Sequence, residues 1–282
     1  MKERIFMNGR WVPLAQAHLS PLNSAVLYGE SLLEAIPVYG GKALFLKEHM
    51  GRLDRGCRFL GWSRLALPKV DQAIRTYRSK GKDYMLRVGL VQELEPPAAP
   101  RDFSKKPPLF FAMARPLRHS LTDPRPLRGR IGVGRWRVPG PEVYPGQFKW
   151  IFYMMIREDF RHHPTWTEML RLDRDGYVVD GGSSSPLWAK NGVLHPPLQT
   201  TGGLESVTRT KILRFARSLG IPVRPRRWRP QDVLKGGELF LVGSGIGVLQ
   251  ATHLSGKVLR GSRSISSRLW EHYRSHALGL KS

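Results

Sequence analysis

The residue types that most often carry out chemistry in enzymes are present in this sequence, but their spacing excludes the best-known motifs. Ser183-Ser184-Ser185 offers hydroxyl nucleophiles, yet no G-x-S-x-G sequence frames these serines. Gly243-Ser244-Gly245-Ile246-Gly247 is rich in glycine, but no acid follows about 20 residues later, as a dinucleotide site requires. His162-His163 is an adjacent pair, and neighbours cannot share one helix face at ligand spacing. We therefore predict no metal site.

Cysteine content and hydropathy indicate the compartment. Cys57 is the single cysteine among 282 residues, which excludes an intrachain disulfide and a zinc site built from clustered cysteines. No apolar run approaches the roughly 20 residues that span a bilayer. Residues 1–9 include an acid and no long apolar stretch, unlike a secretory signal. We expect a soluble, cytoplasmic protein.

The charge of the chain is strongly positive. Lys and Arg number 46 against 22 Asp and Glu, a formal net charge of +24. Such a charge is typical of nucleic-acid binders, and it also fits an enzyme with a basic, solvated surface. The arginines are scattered, and runs such as residues 224–229 are short. A nucleic-acid module more often concentrates its charge with stacking aromatic residues on one face.

The elements that must position any site begin with a hairpin. Asn8-Gly9 separates the apolar runs Arg4–Met7 and Arg10–Pro13, which is a strong hairpin signal. Apolar residues at helical spacing predict a helix over Leu22–Ile36, although Gly29 interrupts it. A second hairpin turns on Gly40-Gly41. The same criteria predict helices over Lys47–Leu60 and Asp71–Ser79 and strands over Tyr84–Val91 and Pro108–Ala114.

A linker divides the chain. Leu117–Arg128 contains Pro124 and Pro126 and little apolar periodicity. We predict a first domain over 1–116, the linker over 117–128 and a second domain over 129–282. Helices and strands mix without strict βαβ alternation, so the fold class is α+β. The second domain is predicted to contain strands at Arg130–Gly134, Glu168–Asp173, Tyr177–Val179, Leu187–Val193 and Leu239–Val242, and helices at Phe148–Arg161 and Val207–Leu219.

The order of several short segments is more specific than any one of them. In the first half they are Asn8-Gly9-Arg10-Trp11-Val12, Tyr28-Gly29-Glu30, Leu33-Glu34 and His49-Met50-Gly51-Arg52-Leu53; in the second half they are Phe148-Lys149-Trp150, Leu172 to Ser185, Lys190 to Leu198, Gly203 to Arg209 and Glu238 to Ser244. The series resembles the class IV, fold-type IV pyridoxal-phosphate (PLP) enzymes. That family holds branched-chain and D-amino-acid aminotransferases and 4-amino-4-deoxychorismate lyase.

The resemblance covers the chain from about Phe6 to about Ser255. It implies a two-domain fold like that of D-amino-acid aminotransferase, with PLP in the interdomain cleft, and a homodimer. PLP chemistry needs a lysine that forms an imine, an acid at the ring nitrogen and an anion site for the phosphate. The resemblance gives the first role, the Schiff base, to Lys149 and the second to Asp180.

The resemblance also implies the remaining contacts. The phosphate would be bound by Arg52, Ser206, Val207, Thr208 and Ser244. A helix N-terminus and a guanidinium group both favour an anion. Leu204 would pack against one face of the ring, and Tyr153 would contact the cofactor. Tyr28 and Arg87 would contact the substrate, with Arg87 able to pair with a carboxylate.

Four residues depart from the pattern of the family. Asp180 and Ser206 stand where glutamate and glycine are usual. Ser185 stands where asparagine is usual. Tyr153 follows Lys149 by four residues instead of five, and Met154 takes the expected tyrosine position.

Three functions stay open from the sequence. The favoured one is a PLP-dependent aminotransferase that moves an amino group between an amino acid and a 2-oxo acid through Lys149. The alternative is the lyase, which eliminates pyruvate from aminodeoxychorismate to give 4-aminobenzoate. A basic nucleic-acid-binding protein on an old enzyme scaffold is the remote third, and the ordered segments argue against it. The amino donor and acceptor and the D or L preference stay open.

Overall fold

The computed structural model describes residues 4–62, 66–77, 82–96, 99, 106–143, 146, 148–149, 153–198 and 202–280. Contacts within the chain divide it into two units. Unit 1 comprises Met1–Leu117 and Gln147–Phe152, and unit 2 comprises Arg118–Gly146 and Tyr153–Ser282. The predicted linker, 117–128, thus falls almost wholly in unit 2, and the segment that contains Lys149 groups with unit 1.

Unit 1 is built on an antiparallel sheet of six strands in the order β2-β1-β6-β5-β3-β4. The strands are β1 (Arg4–Met7), β2 (Arg10–Pro13), β3 (Ser31–Tyr39), β4 (Lys42–Ala43), β5 (Tyr84–Val91) and β6 (Leu109–Pro116). The helices are α1 (Ser24–Tyr28), α2 (Leu46–Phe59) and α3 (Ala66–Thr76), and a 3-10 turn spans Leu14–Gln16. The core lies between the sheet and α2 and α3, and includes Phe6, Leu32, Ile36, Leu86 and Leu53.

The hairpin signals predicted unit 1 well. Phe6 pairs with Trp11 in the first hairpin, and its turn residues Asn8 and Gly9 have φ angles of 51° and 78°. The second predicted turn, at Gly40-Gly41, joins β3 to β4. The predicted helix Lys47–Leu60 is confirmed as α2, and the predicted strand Tyr84–Val91 is confirmed as β5. The predicted helix Asp71–Ser79 overlaps α3, and its last two residues lie outside the described ranges.

The helix predicted over Leu22–Ile36 is wrong. The Asn23 side chain caps α1 by accepting hydrogen bonds from the N–H groups of Ala25 and Val26. Gly29, at φ 68°, ends that helix after one turn, since a left-handed residue does not continue a right-handed helix. The following residues form β3, which is largely buried and therefore lacks the alternation that marks a half-exposed strand.

Unit 2 is built on a mixed sheet in the order β11-β10-β12-β13-β7-β8-β9, with β14 paired to β13. β7 is parallel to both β13 and β8. The strands are β7 (Leu127–Val133), β8 (Glu168–Leu172), β9 (Val178–Gly181), β10 (Ser185–Lys190), β11 (Val193–His195), β12 (Glu238–Gly243), β13 (Gly247–Leu254) and β14 (Lys257–Val258). The helices are α4 (Met154–His162), α5 (Val207–Ser218), α6 (Pro230–Leu234) and α7 (Ser264–Leu278). The mixture of two sheets and packed helices confirms the predicted α+β class.

Two predictions in unit 2 need correction. The strand predicted over Leu187–Val193 is two strands, because Asn191 and Gly192 form a turn with φ angles of 50° and 77°. This Asn-Gly pair is the same hairpin signal that was used at the start of the chain. The helix predicted over Phe148–Arg161 begins only at Met154, and residues 150–152 lie outside the described ranges. Among the described residues, no helix has the length and apolarity needed to cross a bilayer.

Candidate active site

Three charged or polar side chains of unit 1 meet in the interior. The Arg52 guanidinium donates from Nε to Oε1 of Glu34 at 2.7 Å and from Nη2 to Oε2 at 2.8 Å. His49 Nδ1 lies 2.7 Å from the same Oε2. Glu34 and His49 are fully buried, and Arg52 is 4% exposed. The predicted phosphate-binding arginine therefore belongs to a buried ionic network.

This network depends on the close approach of α2 to β3. His49 and Arg52 lie three positions apart on the helix, so both face the strand that carries Glu34. One turn later, Gly56 lies so near the strand that a Cβ built there would be 2.6 Å from Leu32 Cδ2 and 3.2 Å from Phe148 Cβ. A glycine at this point lets the helix approach closely enough for Arg52 to reach Glu34.

The charges of the network determine the ionisation of Glu34. Burial alone would raise its pKa, but the charges of Arg52 and His49 and their hydrogen bonds outweigh burial and hold the pKa well below its usual value. Glu34 is therefore ionised at neutral pH, and Arg52 has a permanent anionic partner.

Lys149, the predicted imine lysine, is anchored to the same strand. Its carbonyl accepts a hydrogen bond of 2.8 Å from the N–H of Leu33, the residue before Glu34. The preceding Phe148 is 2% exposed and packs against Phe59 at a ring distance of 4.7 Å. The Lys149 side chain itself is half-buried. Its backbone is thus held at an edge of β3 that β5 does not occupy.

The two predicted substrate residues are both exposed in unit 1. Tyr28 is 44% exposed at the end of α1. Arg87 is the exposed residue of β5, whose seven other residues are buried. It pairs across the sheet with Ala35 and Met113. Both side chains can therefore contact a ligand in solution.

In unit 2, Asp180 is the last residue but one of β9 and is 9% exposed. Its Oδ2 accepts a hydrogen bond from the Leu204 N–H at 3.0 Å, and its Oδ1 accepts from the Gly181 N–H at 3.0 Å and the Ser185 hydroxyl at 3.3 Å. Burial raises the pKa of Asp180, and the nearby charge of Arg209 and the hydrogen bond from Leu204 oppose that rise. The structure thus joins two of the predicted cofactor contacts, Asp180 and Leu204.

Arg209 approaches Leu204 from the other side. This side chain is 3% exposed, and its Nη2 donates to the Leu204 carbonyl at 3.3 Å. Burial lowers the pKa of Arg209, and the charges of Asp180 and Glu205 oppose that change. Arg209 therefore supplies a buried positive charge for Asp180 and fixes the backbone of Leu204.

The first turn of α5 presents donors for an anion. Ser206 accepts the Arg209 N–H on its hydroxyl at 3.1 Å and the Thr210 N–H on its carbonyl at 3.0 Å. The N–H groups of Val207 and Thr208 point out of the helix end, because first-turn amides have no partner within a helix. The Thr208 and Ser244 hydroxyls lie 3.2 Å apart. Amide and hydroxyl donors at a helix N-terminus suit a phosphate.

A second buried acid holds the loop after Asp180. Glu168 Oε1 accepts from the N–H groups of Met169 and Gly182 at 3.0 Å. Its Oε2 accepts from the Ser183 N–H at 3.0 Å, the Ser183 hydroxyl at 2.7 Å and the Ser184 hydroxyl at 2.8 Å. Ser183 and Ser184 therefore belong to a structural loop bound to Glu168, which agrees with the absence of a nucleophile motif.

Tyr153 lies at the N-terminus of α4. It is half-buried, and its carbonyl accepts from the Arg157 N–H at 2.8 Å. Met154, at the position where the family usually has tyrosine, is 71% exposed. Within the described ranges, no three His, Cys, Asp or Glu side chains lie close enough together to hold a metal ion.

Comparison with known proteins decides the family. The family described as "Amino-transferase class IV" matches residues 31–254. The chain belongs to the class IV aminotransferase family. The match covers more than half of the 282 residues, and it confirms both the resemblance and the predicted enzyme class.

Individual relatives of this class IV aminotransferase carry two different names. A "Putative branched-chain-amino-acid aminotransferase" of Methanocaldococcus jannaschii is 26% identical over 96% of this chain and 95% of its own length. An "Aminodeoxychorismate lyase" of Bacillus subtilis is 23% identical over 92% of this chain and 89% of its own. The structure of the branched-chain aminotransferase of Thermoproteus uzoniensis with norvaline has a TM-score of 0.85 and 24% identity, covering 99% of this chain and 96% of that chain. The likeness confirms the predicted fold.

Four buried residues of this aminotransferase were not predicted to have a role: Glu34, His49, Glu168 and Arg209. A usable signal existed for the two acids, since each lies in a largely apolar segment, Glu34 in a predicted helix and Glu168 in a predicted strand. A buried ionised side chain requires partners. The sequence does not say which partners, because all but one of those described for the two acids come from residues 14 to 18 positions away.

Proposed function

We propose that this class IV aminotransferase transfers an amino group between an amino acid and a 2-oxo acid with PLP as its cofactor. The observation that carries the proposal is the arrangement around Leu204. A buried acid, Asp180, is bonded to this residue, and the helix that starts three residues later presents donors for a phosphate. An acid for the ring nitrogen and an anion site are two of the features that PLP requires, so the residues fit the cofactor.

Each proposed role follows from side-chain chemistry. When bound, PLP withdraws electrons from the substrate carbon next to the amine. Lys149 would hold the cofactor through its side-chain amine, and once the substrate amine takes its place the freed Lys149 amine would move a proton at the substrate Cα. The Asp180 carboxylate holds the proton of the ring nitrogen.

The other proposed cofactor contacts bind the phosphate and the ring. The N–H groups of Val207 and Thr208 and the hydroxyls of Thr208 and Ser244 bind the phosphate, and Ser206 shapes the helix end that presents them. Arg52 provides a cation for the same group, since a guanidinium pairs with phosphate through directed hydrogen bonds. Leu204 packs against the ring. Tyr153 stays a predicted cofactor contact.

The substrate is proposed to bind through its carboxylate. Arg87 is exposed on a strand that is otherwise buried, which gives a rigid position for a cation that recognises a carboxylate in a bidentate manner. Tyr28, exposed at the end of α1, is the second proposed substrate contact and would contribute a phenol. A substitution of Arg87 by Met should raise KM for the amino acid, whereas unchanged KM and kcat would remove Arg87 from the site.

An absorption spectrum tests the cofactor. Wild-type protein incubated with PLP and then desalted should keep a visible band at about 420 nm, a property of protein-bound PLP. Lys149→Ala should lose that band. Lys211, which is half-buried on α5, gives the matched control, and Lys211→Ala should keep the band. A colourless protein that takes up no added PLP would overturn the proposal. Nucleic-acid binding by the basic chain would then be the remaining hypothesis.

The lyase remains the second candidate, and the Bacillus subtilis relative favours it. Both reactions use the same lysine and acid, so the proposed residues do not separate them. Supplying aminodeoxychorismate without any 2-oxo acid does separate them. Pyruvate formed under that condition would assign the lyase, and amino transfer from an amino acid to a 2-oxo acid would assign the aminotransferase.

We also propose a homodimer. Val26, Leu27 and Tyr28 of α1 are 66%, 42% and 44% exposed. A run of three exposed apolar or aromatic residues on one short helix supports contact with a second copy. Light scattering during gel filtration should give twice the mass of one chain, and Val26→Asp should lower that mass toward a monomer. A wild-type monomer would contradict the proposal. Location in the cytoplasm stays a prediction.

A further inference from the structure

We infer that Glu34, assisted by His49, is a positioning residue that holds the Arg52 guanidinium in place for the phosphate of the cofactor. The inference rests on the proposed function, which gives Arg52 its role. It adds two residues that do not themselves touch the cofactor and act through Arg52.

The hydrogen bonds set both the position and the plane of the guanidinium. Glu34 accepts from Nε and from Nη2, so its carboxylate binds one edge of the group and prevents rotation about the last bond of the side chain. The carboxylate is in turn fixed, because His49 Nδ1 bonds Oε2 at 2.7 Å.

The backbone elements make this arrangement rigid. Glu34 lies in the middle of β3, where its neighbours pair with β5 over eight registered residues. His49 and Arg52 lie on α2, which approaches β3 closely at Gly56. An arginine held by side chains on two packed elements has lost its rotamer freedom before the ligand arrives, so binding costs less conformational entropy.

Stability alone does not account for the three polar side chains. Buried ion pairs are often no more stabilising than apolar residues of the same volume, because desolvation offsets the attraction. His49 Nε2 is buried and has no hydrogen-bond partner among the described residues, which adds a further cost. Apolar residues of the same volume would hold β3 against α2 about as well, so the retention of these polar groups is better explained by the orientation of Arg52.

Paired measurements with PLP and with pyridoxal, which lacks the phosphate, test the inference. Wild-type protein should bind PLP more tightly than pyridoxal. Glu34→Gln should weaken PLP binding by about tenfold or more, the scale of a charge-assisted contact, because the freed arginine no longer faces the phosphate. Pyridoxal has no phosphate, so its binding should change by less than about twofold. In an Arg52→Gln background, Glu34→Gln should cause no further loss of PLP affinity.

Glu238→Gln is the matched control. Glu238 is also a buried acid, but it accepts from the N–H groups of Ile265 and Ser266 at the start of α7. This substitution should lower the melting temperature without changing the ratio of PLP to pyridoxal affinity.

The outcomes separate this inference from the proposed function. Equal losses for the two ligands in Glu34→Gln, or an unchanged ratio with a lower melting temperature, would overturn the positioning role alone. Failure of wild-type protein to bind either ligand would overturn the proposed function. Should Glu34→Gln not fold, His49→Ala decides: a loss confined to PLP supports the inference, and any other result overturns it.

Discussion

The carboxylate of Asp180 and the guanidinium of Arg209 both bind the backbone of Leu204, the first through its N–H and the second through its carbonyl. The Leu204 N–H donates to Asp180 at 3.0 Å, and the Leu204 carbonyl accepts from Arg209 at 3.3 Å. The two charges also oppose the effect of burial on each other's pKa. A change in one of these side chains should therefore alter both the ionisation of the other and the position of Leu204.

Asp180→Ala should abolish most turnover but leave PLP bound. The acid is proposed to hold the proton of the ring nitrogen, and loss of one preorganised electrostatic group typically costs roughly 10²–10³-fold in rate. Turnover and the visible absorbance of bound PLP are measured on the same sample. Asp180→Glu keeps the charge and should lose less. Full turnover in the alanine variant would remove the proposed role.

Arg209→Met should move the acid limb of the pH–rate profile to higher pH. Burial raises the pKa of Asp180, and the charge of Arg209 opposes this rise. Without that charge the pKa rises further, and a higher pH is needed to ionise the acid. Measuring kcat between about pH 5 and 9 would show the shift. Arg209→Lys, which keeps the charge, should shift the limb less, and identical limbs in all three proteins would refute the coupling.

Glu34→Gln should destabilise the protein in a pH-dependent manner. The pKa of Glu34 is lowered from 4.5, so its contribution to stability is fully present above about pH 4.5 and is lost as the pH falls toward the folded-state pKa. Breaking a buried pair costs roughly 3–5 kcal/mol. Urea unfolding at pH 7 should show this difference from wild type, and unfolding below pH 4.5 should show a smaller one. A difference that does not vary with pH would contradict this assignment.

Two glycines of α2 should respond to alanine with opposite signs. A Cβ at Gly56 would lie 2.6 Å from Leu32 Cδ2, whereas nothing lies within 4 Å of a Cβ at Gly51. Gly56→Ala overpacks the contact with β3 and should cost about 1–3 kcal/mol. Gly51→Ala removes backbone entropy from the unfolded chain and should add roughly 0.5–1 kcal/mol. Both free energies come from urea unfolding, and equal effects would disprove the tight contact at Gly56.

Local signals predicted much of the fold. Asn8-Gly9 and Gly40-Gly41 mark turns because their backbone angles suit few other residues, and the amphipathic face of Lys47–Leu60 marks α2. The sequence failed where tertiary structure decides the element. Leu32 and Ile36 have helical spacing, but a strand buried on both faces shows no period of its own. Asn191-Gly192 was a missed signal, since the apolar residues around it resembled one continuous strand.

The candidate site was predicted through resemblance more than through physical reasoning. The order of segments indicated Lys149, Asp180 and the start of α5, and the structure joins Asp180 to Leu204 and Thr208 to Ser244. The partners of these residues could not be predicted. Arg52 pairs with a strand residue 18 positions earlier, and such pairing depends on how α2 packs against the sheet.

The hydrogen bond from the Leu33 N–H to the Lys149 carbonyl also limits how the amine can move. The bond fixes the lysine backbone to an edge of β3, whose other edge is held by β5. The motion that remains is rotation within the four-carbon stem of the side chain. The sheet thus keeps the Lys149 backbone in place, so the nitrogen that is proposed to carry the proton can reach only as far as its four-carbon stem extends.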